Sequence, residues 1–337
     1  MSELRQADRE TAGSRRGGLS PDVSVIIVNL NTCELLDACL ASVERERVTI
    51  SLEAIVIDNG SSDGSVAMVA EKYPATLLLK NARNQGFARP NNEGLRRAQG
   101  RHLLLLNSDT VVRPGAFRTM VEFLDAHPEA GACGPRLIYP DGRLQYSAKG
   151  FPTLWTHFCD MTGLDRLFPR TVLFGSGELR SFDYDHAGTA DHLMAAAFLV
   201  RRETYEKVGP LDERFAIYYN DMDWCYRMVH AGWTIWYVPD AVVEHHLGKT
   251  VGAVNKRFTF FTMLYNNVMF FYQKHYGRGA IIVYRLLLAA GFAVRSVAWS
   301  IRAALQPSEA NRHMRTFAFK SLLFGLAFWR PAKIEEV

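Results

Sequence analysis

Val23–Leu30 reads VSVIIVNL, a run of almost wholly apolar, β-branched side chains with no polar stripe left for solvent. A strand of this kind is covered on both faces, which calls for helices above and below a largely parallel sheet. The text that follows alternates accordingly. A helix over Glu34–Glu44 places Leu35, Leu36, Cys39, Leu40 and Val43 on one stripe, and Leu52–Ile57 is a second buried strand. Next come a helix from about Ser65 to Lys72, a strand over Thr76–Leu79, a helix from about Pro90 to Ala98 and a strand over His102–Leu106. Strand and helix alternating at this spacing predict an α/β fold, with a mostly parallel sheet flanked by helices.

In such sheets ligands bind beyond the carboxyl ends of the strands. Three polar clusters stand at those ends: Asn29 with Asn31, Asp58–Asp63, and Asn107–Asp109. One ligand can touch all three.

The second half reads differently. Ala132–Ile138 is a strand and Tyr139–Arg143 a hairpin turn. Phe151–Asp185 is irregular and aromatic, in the manner of a variable lobe or lid, and Leu193–Val200 resumes a buried run. Asp221–Ala231 is a helix, and Thr234–Val238 and Ala241–Glu244 are two strands. From Phe258 onward the chain is apolar, basic and helical.

Charge separates these regions. From Lys249 to the end, 13 Lys and Arg face 3 Asp and Glu, so that part carries +10 and the preceding 248 residues −6. A basic, aromatic tail suggests an anionic partner, and a bilayer surface suits its apolar content better than nucleic acid, which is not expected. Gly279–Leu305 is interrupted by Arg285, Arg295 and Arg302, and Thr316–Trp329 is short and holds Lys320. Neither is expected to span a membrane. Both suit helices lying in the headgroup region with arginines snorkelling to its surface. A helical oligomerisation or core-covering element is the alternative. Met1–Pro21 is polar, reading as neither signal peptide nor ordered element. Five scattered cysteines without CxxC spacing indicate a reducing compartment.

Several polar residues carry candidate chemistry. Asp109, at the end of a four-leucine strand, can hold a hard divalent cation or, equally, cap a helix starting near Pro114. Asp58 can accept from a base N–H or belong to a polar turn. Asn84, Gly86 and Arg89, just before a helix, suit an anionic ligand. Asp221 and Asp223 stand in a first helical turn, where they serve the helix dipole, or Asp221 serves as a catalytic base. His245 and His246 point to opposite sides of an extended chain, so at most one is a metal ligand.

In order, VSVIIVNLN, VIDNGSSDGS, NQGFARPNNEG, LLLLNSDT, VGPLDERFAIYYNDMDWCYRMVHAGW and VPDAVVEHH resemble the family-2 glycosyltransferases of the GT-A fold, in particular their rhamnosyltransferase-like bacterial branch. The resemblance covers roughly residues 22–247. It implies a Rossmann-like nucleotide-sugar half over 22–112 and an acceptor half over 113–250. Residues 1–21 then form a disordered N-terminus and 251–337 a helical C-terminal region. It implies a nucleoside-diphosphate sugar donor, contacted by Asn29, Asn31, Asp58, Asn84, Gly86, Arg89 and Asn107. A divalent metal (Mg2+ or Mn2+) would sit on Asp109 and His245. Asp221 would be the general base, with Asp223 supporting it or binding acceptor hydroxyls. The implied reaction is inverting transfer of a sugar, rhamnose among the options, to a lipid-linked or polysaccharide acceptor in cell-envelope glycan synthesis. From the charge asymmetry and the interrupted apolar helices of the tail, the expected location is cytoplasmic, peripheral on the inner face of the membrane. Asn107, Asn220 and Met194-Ala195 depart from the family's commoner Asp, acidic residue and Ser-Gly. A non-catalytic glycan-binding module predicts loss of Asp109 or Asp221, and both are present. A nucleotidyltransferase predicts a Gly-rich basic loop after the first strand, where this chain has Asn29-Leu30-Asn31-Thr32-Cys33.

Overall fold

The computed structural model describes residues 20–177, 179, 181–215, 218–246 and 257–326. The expectations for residues 1–19 and for Trp329 and its flanking Arg330 lie outside the described residues. The strands are β1 (Val23–Asn29), β2 (Leu52–Asp58), β3 (Leu77–Lys80), β4 (His102–Asn107), β5 (Thr110–Val112), β6 (Ala130–Ile138), β7 (Ala148–Lys149), β8 (Gly188–Thr189), β9 (His192–Leu193), β10 (Ala197–Arg201) and β11 (Thr234–His245). The helices are α1 (Cys33–Glu46), α2 (Ser65–Lys72), α3 (Ala88–Arg97), α4 (Ala116–Ala126), α5 (Leu154–Thr162), α6 (Leu164–Leu167), α7 (Arg202–Val208), α8 (Asn220–His230), α9 (Arg257–His275), α10 (Gly277–Leu305) and α11 (Glu309–Leu326).

The main sheet runs β3-β2-β1-β4-β10-β6-β11-β5, with β8 on β11. It is mixed. Strands β3, β2, β1 and β4 are mutually parallel, and β11 is parallel to β6, whereas β10, β5 and β8 run antiparallel to their neighbours. Its parallel half is buried from both sides, as the VSVIIVNL run required. Alternate residues Val25, Ile27, Leu104 and Leu106 enter a core with α1 and α4. Ile26, Leu103 and Leu105 enter the opposite one with α3 and α8. Helix α3 lies so close to the sheet that a Cβ on Gly94 would come within 2.5 Å of Ile26 Cγ2.

Three sequence expectations need correction. The lobe at 151–185 is partly helical: Thr153 caps α5 in a reciprocal box with Thr156, a local signal that outweighs the aromatic, glycine-bearing surroundings. Thr234–Glu244 is one strand rather than two. The ladder from β11 to β6 shifts register between Val238 and Val242, around Pro239, which has no N–H to give. The run 193–200 is split: Leu193 belongs to β9, paired with β7 in a separate two-stranded sheet, and β10 begins at Ala197.

The C-terminal helices also differ from expectation. Helix α10 is long and apolar enough to cross a membrane by length and composition, with an 18-residue window of mean hydropathy 1.8. Two of its three arginines do not snorkel. Arg285 donates through Nε to Gly325 O (3.2 Å) and through Nη2 to Leu326 O (3.1 Å), at the end of α11. Arg295 Nη2 donates to Met161 O (3.1 Å), in the last turn of α5. Helix C-termini leave carbonyls without intrahelical partners, and a guanidinium satisfies several at once. One face of α10 packs inward through Tyr284, Leu288 and Phe292, while Ile282, Leu286, Val294, Val297 and Ile301 remain exposed.

Candidate active site

The carboxyl ends of β1, β2 and β4 are level, with Asn29 opposite Asp58 and Val28 opposite Asn107. Asn29 Nδ2 donates to Asp58 Oδ1 and to Ser61 Oγ, each at 3.1 Å. The Thr32 hydroxyl donates to Asn29 Oδ1 (2.6 Å) and lies 3.0 Å from the Ser108 hydroxyl. One network therefore ties the three polar clusters together. Asn31 sits in the left-handed region at φ 51, its N–H donating to Ser61 Oγ and its Oδ1 accepting from Ser62 N. An Asn amide that bonds locally tolerates that backbone better than most side chains.

Asn59 brings in the loop before α3. Its amide donates to Asn84 Oδ1 (2.8 Å) and Gly86 O (2.9 Å), and its Oδ1 accepts from Gln85 N (3.0 Å). Asn84 and Gly86 thus stand beside the end of β2, and Arg89 is exposed on the first turn of α3. Asn92, from the same stretch, is instead a buried tie to the Leu211 backbone.

Asp109 does not cap a helix. Strand β5 follows it directly, and the residue capping α4 is Gly115. Its carboxylate is buried, with Oδ1 3.4 Å from His245 Nε2. Antiparallel pairing of β11 with β5, extended by His246 N donating to Asp109 O (2.8 Å), sets this approach. On the other side of the ring, His245 Nδ1 donates to Gln145 Oε1 (2.7 Å). That proton assignment leaves a lone pair on Nε2, facing Asn107 Nδ2 (3.3 Å) and the Asp109 carboxylate. His246 turns away to Glu244.

These residues fit a divalent cation. A buried imidazole nitrogen and a buried carboxylate oxygen 3.4 Å apart are two donors that suit a divalent cation between them. An imidazole fixed through its other nitrogen is the usual form of a histidine ligand. Among the described residues no cluster of three or more His, Cys, Asp or Glu makes a closed cage. An open shell of one carboxylate and one imidazole leaves positions for phosphate oxygens.

Asp221 approaches from α8. Its Oδ2 lies 3.3 Å from His192 Nε2 and accepts from Ala195 N (3.4 Å), and its Oδ1 accepts from Met222 N (2.9 Å). Burial pushes the carboxyl pKa up, but His192 and the N–H groups of Met222 and Ala195 outweigh it and hold the group below the usual carboxylate range. The next residue, Ala196, accepts from Asn107 N (2.9 Å). The break between β9 and β10 thus touches the Asp221 carboxylate with one residue and the Asn107 backbone with the next. Tyr218 and Tyr219, immediately before α8, both adopt left-handed backbone (φ 63 and 64), strain of the kind that clusters at functional sites.

Asp223 is not brought to this cluster. Its carboxylate is fully buried and paired with Arg227, Lys274 and His275. Two surface hollows surround this second group, and neither is lined by Asp109, Asp221 or His245.

The chain matches the family described as glycosyl transferase family 2 over residues 24–188. It is 28% identical over 215 residues to the N-acetylglucosaminyl-diphospho-decaprenol L-rhamnosyltransferase of Mycobacterium tuberculosis (strain ATCC 25618 / H37Rv), spanning 60% of this chain and 68% of that protein. Residues 24–188 form a glycosyl transferase family 2 domain, and the chain is that of a family-2-type, rhamnosyltransferase-like glycosyltransferase. Its fold is similar to the mannosyltransferase PcManGT from Pyrobaculum calidifontis, solved with GDP-Man and Mn2+, at a TM-score of 0.53 and 16% identity over 96% of this chain and 92% of that one. It is also similar to residues 1–349 of S. aureus TarS, solved with UDP-GlcNAc, at a TM-score of 0.52 and 14% identity over 91% and 82% of the two chains. The GT-A fold expected from the sequence is therefore present.

In this glycosyltransferase the family match ends at residue 188, so His192, Asp221 and His245 all lie beyond it. Sequence reasoning singled out Asp221 and His245 but missed Asn59, Gln145 and His192 as site residues. Asn59 lay within a polar turn already noted. Gln145 and His192 carry no spacing signal, because their partners stand 100 and 29 residues away.

Proposed function

We propose that this glycosyltransferase moves a sugar from a nucleoside-diphosphate donor to an acceptor hydroxyl with inversion, using Asp221 as base. The observation that carries the proposal is the junction at Ala195-Ala196, whose consecutive backbone groups touch Asp221 and Asn107. The nucleotide lies along Asn29, Asn31, Asp58, Asn84, Gly86, Arg89 and Asn107. A divalent cation (Mg2+ or Mn2+), when bound at Asp109 and His245, neutralises charge on the departing diphosphate. Gln145 keeps the His245 lone pair turned toward that position. Asp221, ionised at neutral pH, accepts the acceptor's hydroxyl proton as that oxygen bonds to the anomeric carbon. The bond from that carbon to the phosphate oxygen breaks on the opposite face, and its electron pair leaves with the nucleoside diphosphate.

Residues 22–250 are assigned the chemistry, with the donor on 22–112 and the acceptor on 113–250. Similarity to the mycobacterial rhamnosyltransferase supports rhamnose as donor sugar and a lipid-linked glycan of the cell envelope as acceptor. The exposed apolar faces of α10 and α11, beside Arg312, Arg315 and Lys320, support a cytoplasmic protein resting on an anionic membrane. The test is a panel of nucleotide sugars assayed with Mn2+ for nucleoside-diphosphate release, with Asp109→Ala and Asp221→Asn beside the wild type. Loss of about 100-fold or more is expected in each variant. Wild-type rates in both would sink the proposal.

A further inference from the structure

Asp223 follows Asp221 by two residues, about 200° around the helix at 3.6 residues per turn. The two carboxylates therefore leave α8 on opposite sides. Asp221 faces Ala195 and His192, whereas Asp223 faces the C-terminal helix α9. There its Oδ1 lies 2.6 Å from Lys274 Nζ and 2.8 Å from His275 Nε2, and its Oδ2 lies 2.9 Å from Arg227 Nε. Lys274 also reaches Asp212 Oδ2 (2.8 Å), in the loop leading to α8.

The same helix grips the strained approach to the base. Asn267 Nδ2 of α9 lies 3.4 Å from Tyr218 O, and Asp223 N donates to Tyr219 O (2.8 Å). Both tyrosines are left-handed, a conformation that persists only where its surroundings enforce it. Met222, adjacent to the base, is buried with Phe215 among Val268, Met269, Phe271 and Tyr272 of α9. Of these partners Arg227 belongs to α8 itself, one turn on from Asp223, whereas Lys274 and His275 come from α9 and tie the two helices together. Their effect is to fix the rotation of α8 about its axis, and that rotation decides where Asp221 points.

We infer that Lys274 and His275 of the C-terminal helix are positioning residues for the transfer step, acting through Asp223 to hold the helix that carries Asp221. The inference rests on Asp221 being the base. It makes α9 part of the catalytic apparatus rather than an appendage, so that anything binding the C-terminal helices is mechanically connected to the base. A misplacement of roughly 1 Å at a reacting group costs about 100-fold in rate, whereas nucleotide binding, at the other strand ends, is spared.

The test uses the full chain and compares Lys274→Met, His275→Leu, His275→Gln and Asp221→Asn. It measures kcat, donor KM, the dissociation constant of the nucleoside diphosphate and the melting temperature. Lys274→Met and His275→Leu are expected to lower kcat by about 10- to 100-fold, with donor KM and nucleotide affinity within about twofold of wild type. His275→Gln, which keeps a donor for Asp223 Oδ1, is expected to stay within about threefold. Variants that melt earlier yet keep wild-type kcat per nucleotide-binding molecule overturn the inference, since that pattern marks a structural role alone. So does an equal loss in His275→Gln and His275→Leu. Full activity in Asp221→Asn overturns the base assignment and the inference with it. Full activity in the α9 variants beside an inactive Asp221→Asn overturns the inference only.

Discussion

His245 Nδ1 lies 2.7 Å from Gln145 Oε1, and this contact turns the Nε2 lone pair of the imidazole toward Asp109. A residue in the hairpin after β6 thereby orients a side chain at the end of β11.

Gln145→Leu should weaken metal binding without removing a ligand. Loss of a hydrogen bond that orients a ligating histidine typically costs 10- to 100-fold in metal affinity. Titration of Mn2+ against donor turnover is expected to show a half-saturating concentration raised by about that factor, with near-normal rates at saturating metal. An unchanged titration curve would exclude the orienting role.

The pH profile should report on His192. As the proposed base Asp221 would work ionised, so activity is expected to fall as pH drops through its pKa. In the wild type that pKa lies below the ordinary carboxylate range despite burial, because His192 and two N–H groups favour the charged form. The acid limb of the wild-type kcat is therefore expected below the usual carboxylate range. His192→Gln removes one of the compensating interactions while leaving burial, so the acid limb should move to higher pH. Measuring kcat between pH 4 and 8 decides the matter; coincident acid limbs would refute the coupling.

Gly94→Ala should destabilise the fold with little effect on the chemistry. The added methyl would meet Ile26 Cγ2 at 2.5 Å and Ile57 Cδ1 at 2.9 Å, forcing α3 away from β1 and β2. Overpacking of this kind costs about 1–3 kcal/mol. A drop in the urea midpoint with unchanged slope is the expected result. A midpoint equal to wild type would mean that α3 shifts freely.

The exposed side of α11 should govern lipid binding if the membrane proposal holds. Phe319 and Leu323 are exposed one turn apart on that helix, with Arg312 and Arg315 exposed near its start. Burying an apolar side chain contributes about 1.5–3 kcal/mol, so Phe319→Ser is expected to lower partition onto phosphatidylglycerol vesicles about tenfold. Arg312→Gln should lower it about fivefold at low salt and less at high salt. Co-sedimentation with vesicles measures both. Wild-type partition in each variant would place the contact elsewhere.

Much of the parallel half of the sheet was legible because its signals are local. Strands covered on both faces must be apolar through their middle, as in Val25–Val28 and Leu103–Leu106, and polar residues concentrate where those strands end. Asn29, Asp58 and Asn107 were singled out in this way, and they stand level at the ends of β1, β2 and β4. The lobe helix α5 was also written locally, in the Thr153 and Thr156 cap, but the surrounding aromatics and glycines masked it. The role of Arg285 and Arg295 was not legible. An arginine in an apolar helix reads as a charge seeking water until the helix ends it serves, at Leu326 and Met161, are known to lie beside it.

The amino-acid sequence by itself determined which segments become strands and helices and which strand ends are polar, since period, apolarity and turn chemistry act over a few residues. Tertiary structure alone decided that Gln145 meets His245, that His192 meets Asp221, and that Asp223 turns from the site to Lys274 and His275. Each of these pairings joins different elements across tens of residues. Their geometry comes from sheet register and from the rotation of one packed helix against another, which no local propensity encodes.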